Sequence, residues 1–295
     1  MLLDAPGLGK TLQMIYLAQE LKRLGKIEHC LIICGINTLK INWKKEIERH
    51  SNLTCKILGE RVNKKGRYLI GSIKDRLDDL LNTIDEFFVI TNIETLRDDK
   101  ILKALTNKKA KNKFDMMVVD EAHTFKSVQS LQAKHFLKLN NAKYKIALTG
   151  TVLVNSPLDA YVPLKWLGIE NCTYTNFKYY YCNFGGPFNN QLINYKNIDR
   201  LKDEIGKYSL RRTKDILDIP PKNIIHEYLD LNDSQRRFYD DLVDGIVEEA
   251  DKVEINNTNI LSMMIRLRQA LACPTILTTN NIESVKIDRA VDLVE

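Results

Sequence analysis

Residues 4–11, with the sequence DAPGLGKT, place glycines around a Lys-Thr pair at the start of a helical pattern. Apolar residues recur at helical spacing in this pattern, at Met14, Leu17, Ala18, Leu21 and Leu24. A glycine-rich turn before a helix directs backbone N–H groups and the positive end of the helix dipole at one point, which favours a phosphate there. We therefore predict a phosphate loop in which Lys10 contacts the β- and γ-phosphates of a nucleotide and Thr11 helps to hold Mg²⁺.

The loop departs from the strict pattern GxxxxGK[ST], because Asp4 stands where that pattern has a small residue. A plain glycine-rich turn is the alternative that eight residues alone leave open, so the interpretation needs a partner elsewhere in the chain. The predicted ATP-binding residues of the loop are Asp4, Gly7, Leu8, Gly9, Lys10 and Thr11.

The partner is an acidic pair in the stretch MMVVDEAH, at 116–123. Asp120 is suited to hold Mg²⁺, directly or through water, because hard carboxylate oxygens match that ion. Glu121 would orient and deprotonate the attacking water. The alternative, two plain surface acids, is less favoured when the pair follows an apolar run in a chain that also contains GLGKT.

A third polar stretch, ALTGT at 147–151, also ends an apolar run. Thr149, Gly150 and Thr151 are candidates for linking the state of the nucleotide to a neighbouring lobe through hydrogen bonds. A simple turn at the end of a strand is the alternative.

The elements that must position these residues alternate between strand-like and helix-like segments in the first half of the chain. Apolar runs short enough to be strands buried on both faces occur at 29–34, 86–91, 115–121 and 144–151. Each run precedes a plausible helix. The run at 29–34, for example, is followed by an amphipathic stretch at 37–50. This alternation predicts an α/β fold with a doubly wound parallel sheet, in which ligands bind beyond the carboxyl ends of the strands. The polar residues that end the runs should therefore meet at one edge.

The second half of the chain has a different pattern. From about Pro157 it is helical with aromatic residues, and a Gly/Asn-rich loop follows at about 185–190. The PPK stretch at 220–222 indicates a connector, because proline restricts its neighbour and removes a donor. Beyond it, the alternating segment NIIHEYLDL predicts a strand. Helical patterns follow at roughly 233–253, at 259–272 and from about Ser284.

The composition is that of an ordinary globular protein. Of 295 residues, 44% are hydrophobic and 28% are charged, which argues against wholesale disorder. The formal charge of +6 is compatible with nucleic acid as a partner but does not require it. The six cysteines include no CxxC pair, so we expect reduced thiols and no metal site. Without a membrane-length apolar run or a signal peptide, we expect a soluble intracellular protein of a bacterial or phage-infected cell, or of a eukaryotic nucleus.

These motifs resemble those of the superfamily 2 helicase-like ATPases, and within them the SWI/SNF-type double-stranded-DNA translocases. GLGKTLQ at 7–13 resembles that family's motif I, and residues 31–47 are similar to its motif Ia. The DEAH and ALTGT stretches are similar to its motifs II and III. LRRTKDILDIPPK at 210–222 and the helical stretches 234–242 and 265–277 resemble landmarks that strand-separating helicases lack.

The resemblance implies a motor of two RecA-like lobes that uses ATP and Mg²⁺ to move along double-stranded or branched DNA, mainly through phosphate contacts. It implies an ATP-binding lobe at 1–168, a helical insertion with a linker at 169–219 and the start of a second lobe at 220–295. The stretch 177–186 is similar to the annealing-helicase branch and its phage or bacterial relatives. Candidate DNA contacts, each with a loop or helix-cap role as the alternative, are Asn37, Thr38, Lys40, Thr91 and Asn92.

The resemblance also implies that parts of the motor are missing from this chain. The strand before the phosphate loop would be reduced to residues 1–3, and motifs IV to VI with their arginine fingers would lie elsewhere. Because an arginine finger is worth about 10³–10⁵ in rate, we expect the chain to hydrolyse ATP weakly unless a separate chain or segment supplies the second lobe.

The alternatives to a double-stranded-DNA translocase are a strand-separating helicase, a restriction-type translocase subunit, or a fragment that binds nucleotide or DNA without hydrolysis. We expect Trp43 in the core and Arg212 at an interface or on the surface.

Overall fold

The computed structural model describes residues 1–35, 37–62, 66, 68–107, 109–150, 156–186, 188, 191–218, 220, 223–252 and 257–295. For residues 37, 70, 246–252 and 257–260 it describes the backbone alone. Two compact units divide the chain, Met1–Asp218 and Ile219–Glu295. None of the helices in the described ranges is both long and apolar enough to cross a membrane.

Parallel strands at the centre of the first unit confirm the predicted α/β fold. The strands are β1 (Cys30–Cys34), β2 (Cys55–Ile57), β3 (Glu60–Val62), β4 (Tyr68–Ile70), β5 (Phe88–Asn92), β6 (Met116–Val119), β7 (Tyr144–Ala147), β8 (Cys182–Gly185) and β9 (Gln191–Tyr195). Five of them form one sheet in the order β2-β5-β1-β6-β7, with every neighbouring pair parallel. The four predicted apolar runs each coincide with one of these strands, and β5 extends one residue beyond its run. The sequence pattern missed β2, which has only three residues and is buried less completely.

Helices lie along the chain between and beyond these strands. They are α1 (Lys10–Arg23), α2 (Asn37–His50), α3 (Ile73–Leu81), α4 (Asp99–Thr106), α5 (Leu131–Lys138), α6 (Tyr161–Leu167), α7 (Tyr174–Tyr181), α8 (Ile198–Lys207), α9 (Asp233–Lys252), α10 (Asn257–Ala272) and α11 (Val285–Asp292). The amphipathic stretch predicted at 37–50 is α2. The helix predicted after the phosphate loop is α1, but it turns Met14, Ile15 and Ala18 to the core and leaves Leu17 37% and Leu24 47% exposed. That part of the predicted apolar face was wrong.

The sheet is covered on both faces, as a doubly wound fold requires. Successive strand residues point to opposite faces. On one face, Ile32 and Val118 pack with residues of α1 and α2 such as Ile15 and Ile47. On the other face, strand residues pack with residues of α4, α5 and α6, among them Ile101, Phe136 and Trp166. Burial on both faces explains why these strands read as continuous apolar runs.

The register brings the carboxyl ends of the strands to one edge. Cys34 is opposite Asn92, while Val119 is paired with Ile33 on one side and Ala147 on the other. The residues that follow these strand ends, among them Asp120, therefore lie along the same edge of the sheet.

The first residues of the chain extend this sheet beyond β7. The N–H of Leu2 donates to the oxygen of Ala147 at 2.9 Å, and the N–H of Thr149 donates to the oxygen of Leu2 at 3.1 Å. On its other side, Leu2 forms a parallel bridge with Leu210. Leu2 is 3% exposed. Short as it is, this segment anchors the phosphate loop to the sheet edge in the way that a leading strand would.

The segment after α6 differs from the predicted helical insertion with a loop. Between α7 and α8 it contains an antiparallel hairpin, in which Cys182 is opposite Tyr195 and Gly185 is opposite Gln191. Of the Gly/Asn-rich stretch, Gly185 belongs to β8, and residues 187, 189 and 190 lie outside the described residues. The aromatic residues of α7 divide by face: Phe177 and Tyr181 are buried, while Tyr179 is 54% exposed.

In the second unit, the predicted helices are found as α9, α10 and α11, and Ser284 caps the last of them. The strand predicted for NIIHEYLDL is wrong, because residues 223–231 have no strand geometry. Ile225 is 88% and Tyr228 is 93% exposed. An alternating pattern forms a strand only where a neighbouring strand accepts its hydrogen bonds, and the described part of this unit contains none.

Candidate nucleotide site

The loop before α1 has the backbone geometry of a phosphate cradle. Gly7 and Gly9 have positive φ values of 90° and 72°, which side-chain-bearing residues rarely adopt. Helix α1 begins directly afterwards at Lys10, with no side chain capping its first turn and no acidic residue there. Its first N–H groups have no partner within the helix and face the loop. The loop and the helix dipole therefore suit an anion such as a nucleotide phosphate.

The side chains of the Lys-Thr pair are positioned for the same ligand. The ammonium group of Lys10 donates to the backbone oxygen of Asp4 at 2.9 Å and lies 3.5 Å from that of Ala5. These are neutral partners, which an anionic phosphate can replace. Thr11 is half-buried in the first turn, and its hydroxyl makes no hydrogen bond within the described ranges. Both residues thus fit the predicted contacts with phosphate and Mg²⁺.

Asp4 is a buried residue of the loop whose carboxylate is held by hydrogen bonds. Its carboxylate is fully buried and accepts hydrogen bonds from Gln13 Nε2 at 3.0 Å and from the backbone N–H of Arg212 at 3.0 Å. The guanidinium of Arg212 lies 2.8 Å from Oδ2 of Asp4 and also donates a hydrogen bond to the side-chain oxygen of Gln13. Burial alone would raise the pKa of Asp4, but the bonds from Arg212 and Gln13 outweigh it and lower the pKa. We interpret Asp4 as holding the loop in place and not as a nucleotide contact.

Arg212 is a site residue that the sequence analysis placed at an interface or on the surface. Its backbone oxygen accepts the N–H of Ala5 at 2.9 Å, so both its backbone and its side chain hold the phosphate loop. The two segments are joined across 208 residues of sequence. The only signal for this pairing was the LRR motif itself.

Replacing Arg212 with Ala should lower the melting temperature by about 5 °C and weaken ATP binding, because the buried Asp4 carboxylate would lose charge-assisted hydrogen bonds worth about 2 kcal/mol. Arg211→Ala is the matched control, since Arg211 is the neighbouring exposed arginine and its side chain makes no hydrogen bond or ion pair with Asp4. Differential scanning fluorimetry and ATP titration on both variants test this. Equal effects of the two substitutions would contradict the assigned role.

The acidic pair follows β6 at the carboxyl edge. The N–H of Asp120 donates to the oxygen of Ile33 at 2.8 Å, which continues the sheet by one residue. The carboxylate of Asp120 accepts the backbone N–H of Glu121 at 2.9 Å and the indole N–H of Trp43 at 2.9 Å. Glu121 itself has φ 52° and ψ 47°, a left-handed conformation that a non-glycine residue adopts at some cost. Strain of this kind concentrates at functional sites.

The ALTGT stretch contacts both the segment of the acidic pair and the phosphate loop. His123 Nδ1 lies 3.1 Å from Glu121 Oε2 and 2.9 Å from the hydroxyl of Thr149. A Cβ atom on Gly150 would lie 3.4 Å from the ring of Pro6, so this glycine lies against the phosphate loop. Thr151 is outside the described residues. Hydrogen bonds and packing therefore connect the acidic pair, residues 149–150 and the loop.

The residues proposed for DNA contact lie at the same edge, but most of them are covered. Lys40, Thr91 and Asn92 are each 1% exposed, so their side chains do not reach the surface. Burial and the nearby Arg76 guanidinium lower the pKa of Lys40, whose ammonium has no hydrogen-bond partner among the described residues. Thr38 is exposed in the first turn of α2, and the side chain of Asn37 is outside the described set. Of the described side chains among these five candidates, that of Thr38 is the one exposed for a direct phosphate contact in this conformation.

Mg²⁺ would be held here by few protein ligands. The described residues contain no cluster of three or more His, Cys, Asp or Glu side chains suited to a metal ion. Nucleotide-bound Mg²⁺ is usually held by one or two protein oxygens, phosphates and waters. Asp120 and Thr11 supply oxygens of that kind. None of the six cysteines, all of which are described, is in a disulfide.

Comparison with known proteins gives consistent matches. A profile described as the SNF2-related domain matches residues 1–276. The chain is 29% identical over 188 residues to the DNA repair protein rad8 of Schizosaccharomyces pombe, covering 58% of this chain and 16% of that protein. It is 25% identical over 288 residues to a SWI/SNF-related regulator of chromatin of Xenopus tropicalis (subfamily A containing DEAD/H box 1), covering 93% of this chain and 27% of that protein.

A solved structure with the same fold is the Sulfolobus solfataricus SWI2/SNF2 ATPase core in complex with dsDNA. The TM-score is 0.55 and the identity 26%, over 99% of this chain and 58% of that chain. This chain thus spans less than two thirds of the length of each of these three proteins.

Proposed function

The chain belongs to the family of SNF2-related domains, and from that membership we propose that it is a DNA-dependent ATPase and part of an ATP-driven motor on double-stranded DNA. Its first unit would be the ATP-binding lobe with its insertion. Its second unit, Ile219–Glu295, would begin the second lobe.

The observation that carries this proposal is that the phosphate loop and the acidic pair flank the same short segment after β7. The N–H of Thr149 donates to the backbone oxygen of Leu2, which precedes the loop, at 3.1 Å. The backbone oxygen of Leu148 accepts the N–H of Ala122, which follows the acidic pair, at 3.0 Å. Two motifs separated by more than a hundred residues therefore share one edge, as a nucleotide site in an α/β sheet requires.

The residues of this site suit phosphoryl transfer to water. Lys10 and the first N–H groups of α1 would bind and neutralise the phosphates. Thr11 and Asp120 would hold Mg²⁺, which supplies further charge neutralisation when bound. Glu121 would orient the attacking water and accept its proton. Arg212 is engaged by Asp4 and Gln13, so it is not free to act as an arginine finger, and the expected turnover is low.

Two observations support duplex DNA as the partner. The Sulfolobus neighbour is described in complex with dsDNA, and the formal charge of this chain is +6. Contacts with backbone phosphates would make binding independent of sequence and sensitive to salt.

The test is ATP turnover by the wild-type chain with and without duplex DNA, at low and at physiological salt. We expect duplex DNA to raise turnover severalfold and the stimulation to fall as salt rises. A rate that is unaffected by DNA at every salt concentration would contradict the proposal. A strand-displacement assay separates it from a strand-separating helicase, for which robust unwinding is expected.

A further inference from the structure

Trp43 lies in the core but carries a polar contact with the acidic pair. The residue is on α2 and is 2% exposed, packed between that helix and the sheet. Its indole N–H donates to Oδ2 of Asp120 at 2.9 Å, across 77 residues of sequence. Packing fixes the indole ring, and the ring in turn fixes the direction in which this carboxylate oxygen is held.

The two oxygens of Asp120 are held from two sides. Oδ2 accepts the indole N–H of Trp43, and Oδ1 accepts the backbone N–H of Glu121. A carboxylate oxygen has two lone pairs, so each oxygen retains one for a metal ion or its water. Without the indole N–H, Asp120 would be held from one side only.

The second tryptophan of the chain shows what a purely structural indole looks like. Trp166 is also 2% exposed, and its N–H donates to the backbone oxygen of Leu139 at 2.6 Å. It packs beside Phe136 at 4.7 Å between ring centroids, and its indole N–H makes no hydrogen bond to a described residue of the site. Both indoles satisfy a buried N–H, but only Trp43 gives its hydrogen bond to the carboxylate proposed to hold Mg²⁺.

We propose that Trp43 is a positioning residue for Mg²⁺, acting through Asp120. This inference rests on the proposed function, because it assumes that Asp120 holds the ion beside ATP. Residues that orient a metal ligand commonly change metal affinity by about 10–100-fold when they are removed. Trp43 also ties α2, whose first turn is at the sheet edge, directly to the nucleotide site.

The first experiment compares Trp43→Phe with Trp166→Phe in the full chain. Each substitution removes one buried indole N–H and keeps an aromatic ring. We measure the free Mg²⁺ concentration that gives half-maximal binding of a fluorescent ATP analogue, together with the melting temperature. Trp43→Phe should raise that concentration about tenfold, and Trp166→Phe should leave it within about twofold although it lowers stability.

A second measurement keeps Trp43 in place. In Trp166→Phe, Trp43 is the single tryptophan, and its emission should change when Mg²⁺ is added with ATP but not when ATP is added alone. In Trp43→Phe, the remaining Trp166 should give no such Mg²⁺-dependent change.

The outcomes separate this inference from the proposed function. If the wild-type chain fails to bind the Mg²⁺–ATP analogue, the proposed function is wrong and the inference is wrong with it. If the wild type binds but Trp43→Phe has an unshifted Mg²⁺ requirement, or Trp166→Phe shifts it equally, only the role of Trp43 is wrong. A silent Trp43 emission in a chain that binds Mg²⁺–ATP would also overturn that role.

Discussion

Replacing Glu121 with Gln should lower ATP turnover by about 10²–10⁴-fold and leave ATP affinity within about twofold. The amide keeps the size of the side chain but cannot accept a proton from the attacking water. Glu121 directly follows Asp120, the residue proposed to hold Mg²⁺, and its side chain is 41% exposed, so water can reach it. The backbone N–H that bonds to Asp120 is unchanged by the substitution. The metal-holding part of the site should therefore remain intact.

Glu28→Gln is the matched control for this variant. Glu28 is an exposed acid just before β1, at the opposite edge of the sheet, and the substitution changes the net charge by the same amount. Phosphate release and equilibrium ATP binding are measured for both variants. Wild-type turnover in Glu121→Gln would show that another group activates the water.

Replacing Lys10 with Ala should weaken ATP binding at least tenfold and lower turnover by about 10²–10³-fold. Among the described residues, the ammonium group bonds only to backbone oxygens of its own loop, at Asp4 and Ala5. Its loss therefore removes a phosphate ligand without breaking an ion pair that stabilises the fold. We expect the melting temperature to change by no more than about 2 °C.

Lys26→Ala serves as the control, because it removes the same charge from an exposed position beyond α1. Titration calorimetry with ATP measures both variants. Equal affinities for Lys10→Ala and the wild type would exclude Lys10 as a phosphate ligand, whatever the turnover.

Much of this site could be predicted from sequence because its signals are local. A phosphate loop needs glycines, a lysine and a helix start within a few residues, and all are contiguous between Gly7 and Thr11. Strands β1, β5 and β6 are buried on both faces, which explains why they stand out as apolar runs. The acidic pair directly follows one such run. Those predictions depended on spacing that the chain itself displays.

The contacts that hold the site together had no such local signal. Asp4 is held by Arg212 and Asp120 by Trp43, pairs that are 208 and 77 residues apart. No periodicity indicates which arginine or which tryptophan will meet a given carboxylate. The same limit explains the buried Lys40, since motif position alone does not show that a lysine side chain will be buried. It also explains the wrong strand at 223–231, where an alternating pattern has no neighbour to pair with.

The most direct test of the account is single-turnover hydrolysis of ATP with protein in excess and duplex DNA present. Wild type, Lys10→Ala and Glu121→Gln are prepared in parallel, so that any contaminating ATPase appears equally in all three. We expect measurable hydrolysis by the wild type, bound but unhydrolysed ATP with Glu121→Gln, and unbound ATP with Lys10→Ala. Equal hydrolysis by all three proteins would contradict the claim that the phosphate loop and the acidic pair form one ATPase site.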